Sequence, residues 1–301
     1  MKYFRFILAA VAALALFFCA GCGGETAVGS YVRPTVPGFD KTVAGTLEVR
    51  VLKVGKADSI VITTAAKVMV IDCGNVGDGG KSLDYLNSIG RTSIDWLIIT
   101  HFDKDHVGGA EAVLQNMPVK QIYQPDYVGT RPEYTAYVNA AEAAGAPITK
   151  LKAGQDLNFA MDDVQVNIDP PERATYPGST AKEDEADNDY SLCTTLWHGN
   201  MTLVFAGDAY QDRLKELVNR GGMKVDFLKV PHHGVMDASS KAYFDALRPT
   251  YAAICDSSKN PADPQLVKLL TDIGTKVYDT KDGSVDVVSD GQKLTVTQIS
   301  S

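Results

Sequence analysis

The segment THFDKDHVGG (residues 100–109) places His101, Asp103, Asp105 and His106 within six positions, directly after the apolar run WLII. Imidazole and carboxylate groups are the side chains that ligate divalent ions. On a chain leaving a strand, alternate residues turn to one side, so His101 and Asp103 can converge on one ion. Asp105 and His106 can then face a second ion as the chain enters a helix, and Gly108 and Gly109 permit a close approach. The same grammar recurs downstream. TLVFAGDA sets Asp208 at the end of an apolar run, and FLKVPHHG sets His232 and His233 at the end of another. Alone, Asp208 reads as well as the N-cap of a helix at 210–220, and the histidine pair as a structural turn. Three strand ends bearing ligand types in a chain of five histidines make coincidence the weaker explanation. Sites in open α/β sheets gather at strand termini. Beyond residue 22, no G-x-S-x-G, phosphate-binding loop or C-x-x-C competes for the chemistry.

These residues need elements to hold them. Short Val- and Ile-rich runs at 47–54, 59–64 and 67–74 read as strands, the last two forming a hairpin. A helix is expected over 79–89, a buried strand at 95–100, a helix at 106–116, a strand at 119–124 and a helix at 132–144. Strands near 148–152 and 163–168 precede a long proline-punctuated acidic loop, 169–188. Strands 190–197 and 201–207 flank the turn HGN, which makes His198 a solvent-exposed turn residue rather than a ligand. Helices at 210–220, 239–247 and 263–273 then alternate with strands at 225–230 and 250–255, and strands near 276–279 and 293–299 close the chain. Early hairpins followed by alternation predict an α/β fold, an αββα sandwich of two mixed sheets flanked by helices in one domain.

Taken as a set, THFDKDHVGG, FAGDA and VPHHG resemble the metallo-β-lactamase superfamily of dinuclear metallohydrolases. The usual H-x-H-x-D-H is here H-x-D-x-D-H, a variant similar to the extracytoplasmic domain of ComEC-type DNA-uptake proteins and their stand-alone relatives. LKVGKADSIVI, VIDCG and DNDYSLCTTL extend the resemblance over about 46–248. It implies that His101 and Asp103 bind one divalent ion and Asp105 and His106 another, with Asp208 bridging. A histidine of the HHG pair completes the second position, His233 being favoured over His232. It also implies that Asp72 supports the first ligand loop. Two departures stand out. No histidine ligand lies between the motif and Asp208, so the first ion has fewer protein ligands or takes one from Asp187, Asn188, Asp189 or Ser191. Asn188 and Ser191 are otherwise supports of the ligands. A G-x-G-D turn is reduced to GKAD, keeping only Gly55 and Asp58.

Two such ions, zinc or manganese given the carboxylate-rich set, activate water and clamp the oxygens of the bond being cleaved. Asp105 and Asp208 are the catalytic candidates, Asp105 orienting the attacking group. The expected substrate is a phosphodiester, in nucleic acid or a phosphorylated envelope component. A lactone or amide hydrolase, or a binding lipoprotein without catalysis, are the alternatives. At the other end, MKYFRFILAAVAALALFFCAGC has the charged start, apolar run and small residues of a signal peptide. CAGC resembles a lipobox, implying acylation of Cys22 and a membrane-anchored, extracytoplasmic protein. The domain expectation is signal peptide 1–22, flexible tether 23–45 and hydrolase domain 46–301. Removing residues 1–22 takes away Lys2 and Arg5 and leaves 27 basic against 37 acidic residues, a formal charge of −10. That charge opposes a broad nucleic-acid surface but not a local basic groove. Cys73, Cys193 and Cys255 sit in apolar runs and read as buried small hydrophobes.

Overall fold

The structure is a computed structural model that describes residues 29–174 and 183–300. Its first half runs β1 (Leu47–Val51), β2 (Ser59–Thr63), β3 (Val68–Cys73), α1 (Gly79–Ser88), β4 (Trp96–Ile98), α2 (Lys104–Val107), α3 (Ala110–Asn116), β5 (Ile122–Pro125), α4 (Pro132–Ala144) and β6 (Ile148–Leu151). The second half runs β7 (Leu157–Met161), β8 (Val164–Asp169), β9 (Cys193–His198), β10 (Met201–Phe205), α5 (Gln211–Asn219), β11 (Phe227–Lys229), α6 (Ser240–Leu247), β12 (Tyr251–Ile254), α7 (Pro264–Asp272), β13 (Lys276–Asp279), β14 (Ser284–Ser289) and β15 (Leu294–Ile299).

Two mixed sheets result, ordered β15-β14-β1-β2-β3-β4-β5-β6 and β13-β12-β11-β10-β9-β8-β7. In each, hairpins supply the antiparallel part and helix crossovers the parallel part, β3 to β6 and β10 to β13. Val49, Ile60, Ile71, Leu196, Phe205 and Phe227 pack between the sheets. Val70, Leu97, Leu114 and Tyr137 seal the outer face of the first sheet beneath α1, α3 and α4, and Leu228, Phe244 and Leu266 seal that of the second beneath α5 to α7. This is the expected αββα sandwich. Helix ends follow local chemistry. Pro132 starts α4 and left-handed Gly145 stops it, while Asp263 caps α7 by accepting the Gln265 N–H at 2.8 Å.

Four expectations change. The helix expected at 106–116 is broken, because Gly108–Gly109 must pass against the end of β3 and the start of α1. A Cβ on Gly109 would stand 2.1 Å from the Cys73 carbonyl and 2.7 Å from the Gly79 nitrogen. β7 and β14 were unforeseen: β7 is only half-buried along most of its length, and β14 sets Val288 on its exposed face and Ser289 on its buried one, which blurs the alternation. His198 is not an exposed turn residue. It is the fully buried last residue of β9, its Nδ1 2.9 Å from Ser289 Oγ and its Nε2 3.6 Å from Asp163 Oδ2. Finally, residues 29–45 lie against the second sheet instead of hanging free. Tyr31 stacks near Trp197, Arg33 lies over the same indole and donates to Gln165, and Asp163 accepts the Ala44 and Gly45 N–H groups. The expected signal segment, and residues 175–182 of the acidic loop, lie outside the described residues.

Candidate metal centre

The parallel strands of both sheets end at one edge of the sandwich, and the candidate ligands sit on the segments that leave them. Asp72, the penultimate residue of β3, is fully buried and left-handed, with φ +56°. That conformation is uncommon for a residue with a Cβ and marks a constrained site. Its Oδ1 accepts the Thr100 N–H at 2.8 Å, and its Oδ2 accepts the Thr100 hydroxyl at 2.6 Å. Oδ2 also accepts from His106 Nδ1 at 2.8 Å. Since the Thr100 hydroxyl proton goes to Asp72, its oxygen accepts from His101 Nδ1, 3.0 Å away. One carboxylate thereby fixes the tautomer of two histidines, so that each ring, when neutral, presents a bare Nε2.

His233 is oriented the same way from the other sheet. Its Nδ1 donates to the Cys255 carbonyl at 3.0 Å, which again leaves Nε2 for a ligand. His106 Nε2 and His233 Nε2 face each other at 3.3 Å, with Asp208 Oδ2 3.2 and 3.0 Å from them. Asp105 Oδ2 lies 3.3 Å from His233 Nε2. Ligand atoms ~2.0–2.2 Å from a tetrahedral ion are themselves roughly 3.3 Å apart, so these four donors suit one divalent ion. His101 Nε2 is buried and has no hydrogen-bond partner, and Asp103 Oδ2 is 3.9 Å from it. A buried bare nitrogen beside a carboxylate suits a cation as well. Asp208 does not cap α5, whose N-terminal flanking residue is Tyr210. Gly207 (φ +55°) and Ser191, whose Oγ accepts the Asp208 N–H at 3.1 Å, aim its carboxylate inward.

The two members of the HHG pair point apart, because both are left-handed, with φ +48° and +52°. His233 meets the other donors, whereas His232 Nε2 takes a hydrogen bond from Asn188 Nδ2 at 3.3 Å. His232 is thereby kept off the ligand cluster, and burial pulls its pKa down to about 4. Ser191 Oγ holds the Asp208 backbone, Asn188 meets His232 beside the cluster, Asp189 accepts the Arg213 N–H, and the charge of Asp187 is felt at Asp103.

Two residues of the centre were not foreseen. Lys229 ends β11 fully buried, its Nζ pairing with Asp58, donating to the Gly207 carbonyl at 3.0 Å and lying 3.4 Å from Asp208 Oδ1. A lysine inside the apolar run VDFLKV was the available signal. Asp58 is close enough to His106, Asp208 and His233 to form a four-residue cluster with them. Its oxygens, however, lie 3.9 and 3.6 Å from the two Nδ1 atoms, behind the rings. Asp58 is thus the counter-charge of Lys229, whereas Asp105 Oδ2 reaches His233 on the Nε2 side, where the imidazoles converge.

Without an ion, the carboxylates draw protons onto the imidazoles. Burial lowers the His233 pKa, but Asp208 and Asp105 outweigh it and raise it to about 9. His106 is raised likewise by Asp208 and Asp72 against its burial, and Asp208 is held well below the carboxylate range by the same imidazoles. Asp103 goes the other way, burial pushing it up to about 6 despite Arg131, whose Nε is 3.0 Å from Oδ1.

Residues 52–255 match the Metallo-beta-lactamase superfamily. ComE operon protein 3 of Bacillus subtilis is 29% identical over 179 residues, covering 59% of this chain and 22% of that protein. Recombination protein 2 of Haemophilus influenzae is 26% identical over 227 residues, 74% of this chain and 26% of that protein. The chain spans about a quarter of the length of these relatives. Among solved structures, a CmlA beta-hydroxylase mutant aligns with a TM-score of 0.50 and 13% identity, over 89% of this chain and 55% of that chain, a likeness of fold.

Proposed function

We propose, from the premise that this chain belongs to the metallo-beta-lactamase superfamily, that it hydrolyses phosphodiester bonds with two divalent ions, zinc or manganese, outside the cytoplasm. The observation that supports this is the convergence of ligand atoms from both sheets: His106 and His233 Nε2 stand 3.3 Å apart with Asp208 Oδ2 within 3.2 Å of each. His106 and Asp105 with Asp208 and His233 would hold one ion, and His101 and Asp103 the other. Bound there, divalent ions supply Lewis acidity for hydrolysis at neutral pH.

The remaining chemistry belongs to the chain. Asp72 holds His101 and His106 in one tautomer, and the Cys255 carbonyl does so for His233. Lys229 and Ser191 fix Asp208. Asp105, whose side chain is 23% exposed against 4% for Asp208, faces outward and is placed to orient an attacking water. Arg131, partly exposed beside Asp103, is a cation able to meet a substrate phosphate oxygen.

The relatives carry names from competence and recombination, which makes DNA the first substrate to test. The acidic charge of the chain repels polyanions away from the site, so a small phosphodiester or a phosphorylated envelope component is tested beside it. The experiment compares bis(p-nitrophenyl) phosphate, single-stranded DNA and nitrocefin on protein of measured metal content. Phosphodiester turnover that vanishes on chelation supports the reading. Nitrocefin turnover alone turns it to amide or lactone hydrolysis, and a metal-loaded protein inert toward all three turns it to binding.

The proposed location rests on acylation of Cys22. No helix among the described residues is long and apolar enough to cross a membrane. Metabolic labelling with a fatty acid should mark the native protein and not Cys22→Ser, and the native protein should stay with membranes in high salt. Unlabelled native protein in the medium would remove the anchor and leave the metal-centre argument intact.

A further inference from the structure

We infer that the edge of the sandwich opposite the metal centre is a docking surface for anionic lipid headgroups, so that the centre opens away from the membrane. The inference rests on the proposed location at a membrane, and it adds which face meets the lipid and from which side substrate arrives.

Strand direction sets the two edges. β11 and β12 run parallel toward the centre, His233 following from the first and the Cys255 carbonyl from the second. Their entries therefore lie at the far edge. There the Val225 N–H donates to the Leu247 carbonyl at 3.1 Å, and the Thr250 and Lys276 N–H groups donate to the Val225 and Thr250 carbonyls at 3.0 Å each. These bonds bring Lys224, Arg248 and Lys276 to one corner. Lys224 and Arg248 line an open depression of about 470 Å³ with Thr250 and the half-buried Ile273, and none of the described residues that line it is acidic. The Lys224 side chain is 77% exposed, its Nζ 3.9 Å from Asp226 Oδ1. Lys276 is exposed, its Nζ 4.9 Å from the centre of the Tyr278 ring. Arg248 is exposed and left-handed, with φ +41°, at the end of α6, where glycine is the usual residue. A cation held there against backbone strain points to use of its side chain.

The N-terminal segment leads to the same corner. The Tyr31 N–H donates to the Gly222 carbonyl at 2.9 Å, and the Gly222 N–H to the Gly29 carbonyl at 2.7 Å, two residues before Lys224. Cys22 precedes Gly29 by seven residues, a reach of at most ~25 Å. Tyr31 and Arg33 turn onto Trp197, and Val32 between them is 82% exposed. Three cations with an exposed valine and a half-buried isoleucine, on a chain of formal charge −10, suit the headgroup layer and shallow apolar zone of an anionic bilayer. The metal edge also exposes Val76 and Val128, but it carries Asp126 and Asp187, which anionic headgroups repel.

Fluorophores are placed on Thr250→Cys and on Val128→Cys of the acylated protein, whose Cys73, Cys193 and Cys255 are buried. The vesicles are phosphatidylcholine with and without phosphatidylglycerol, and carry a headgroup spin label. The fluorophore at 250 should be quenched, more strongly with phosphatidylglycerol, and the one at 128 should not. High salt should relieve the quenching while the acyl chain keeps the protein on the vesicle. Lys224→Gln with Arg248→Gln and Lys276→Gln should abolish the difference between the two lipids and leave metal content unchanged. Quenching at 128 that matches or exceeds that at 250, or indifference to phosphatidylglycerol, would overturn the inference and leave the anchor and hydrolase readings standing. If fatty-acid labelling finds no acyl chain, the protein is sedimented with the same vesicles instead. Binding to phosphatidylglycerol vesicles that weakens about fivefold for each cation removed supports the surface without the anchor, and no binding overturns it.

Discussion

Two corners of this molecule bury a histidine against an aspartate, and only one of them suits a metal. At His198 one ring nitrogen faces a serine hydroxyl at 2.9 Å, and the other, without a hydrogen bond, has a single carboxylate 3.6 Å away. At the centre the Nδ1 atoms of His101, His106 and His233 are all spent on Thr100, Asp72 and the Cys255 carbonyl. Their Nε2 atoms are then left facing acceptors. The backbone does not separate the corners, since Asp72, His232 and His233 are left-handed around the centre and Asp162 is left-handed beside Asp163. A histidine beside a carboxylate is therefore a weak sign of a metal. Several acceptors converging without a donor is the strong one.

The sharpest way to break that comparison is Asp208→Ala against His198→Ala. Removing Asp208 takes away the carboxylate that faces the Nε2 atoms of both His106 and His233, so metal retention and any turnover should fall to background. A helix cap would instead cost ~1 kcal/mol and leave chemistry intact. His198→Ala should keep full metal content and lower stability to urea by about 1–3 kcal/mol, through the lost hydrogen bond and the space vacated. Equal metal loss in the two variants would erase the distinction.

Acid should separate the corners next. The ion-free His233 has a pKa of about 9, raised above its unfolded value by Asp208 and Asp105 in spite of burial. Its protonation therefore stabilises the ion-free protein fully below the unfolded pKa of ~6.5, and that contribution fades as pH rises through about 9. The same proton must leave before an ion binds, so metal affinity should run oppositely, falling as pH drops from 9 toward 6. Stability of stripped and loaded protein, measured across that range, should show opposite slopes. Parallel slopes would mean that the imidazoles are not the ligands.

A milder variant probes the support rather than the ligand. Asp72→Asn keeps the size of the side chain but loses the charge-assisted hold on Thr100 and His106. Metal affinity should drop 10–100-fold, with the sandwich intact by circular dichroism. An unchanged affinity would move Asp72 out of the centre and into the core.

How much of this was legible in the sequence differs between the two corners. At the centre, His101, Asp103, Asp105, His106, Asp208 and His233 could be named because strand-ending apolar runs and ligand types coincide in one dimension. The αββα order followed from hairpins giving way to alternating helices. Lys229 was passed over because a charge inside a buried strand has meaning only when its partner is known, and Asp58 lies 171 positions earlier in the chain. Arg131 was invisible for the same reason. His198 was misread because HGN fixes the turn but not what covers it. The strand that does so, β14, is half-exposed and carries only a faint alternation. Local pattern specifies elements and strand ends; pairing across sheets is long-range and leaves no local mark.

The smallest expected effect lies at the quiet corner. Asp163 accepts the Ala44 and Gly45 N–H groups at 2.7 and 2.9 Å and stands 3.6 Å from His198 Nε2. Burial raises its pKa, but those two backbone donors and His198 outweigh it and hold the carboxyl below its ordinary value. The stability it contributes is thus present above the unfolded pKa of ~3.9 and lost as pH falls through the folded value. Asp163→Asn should cost on the order of 1 kcal/mol near neutrality, as for one weakened hydrogen-bond set, and should flatten the acid limb of the stability profile. It should also loosen residues 44–45, seen as faster exchange of those two amides. Metal content should not move. If it did, the two corners would be coupled through β9 and β10, and the histidine of the hairpin would have to be reckoned a remote part of the centre.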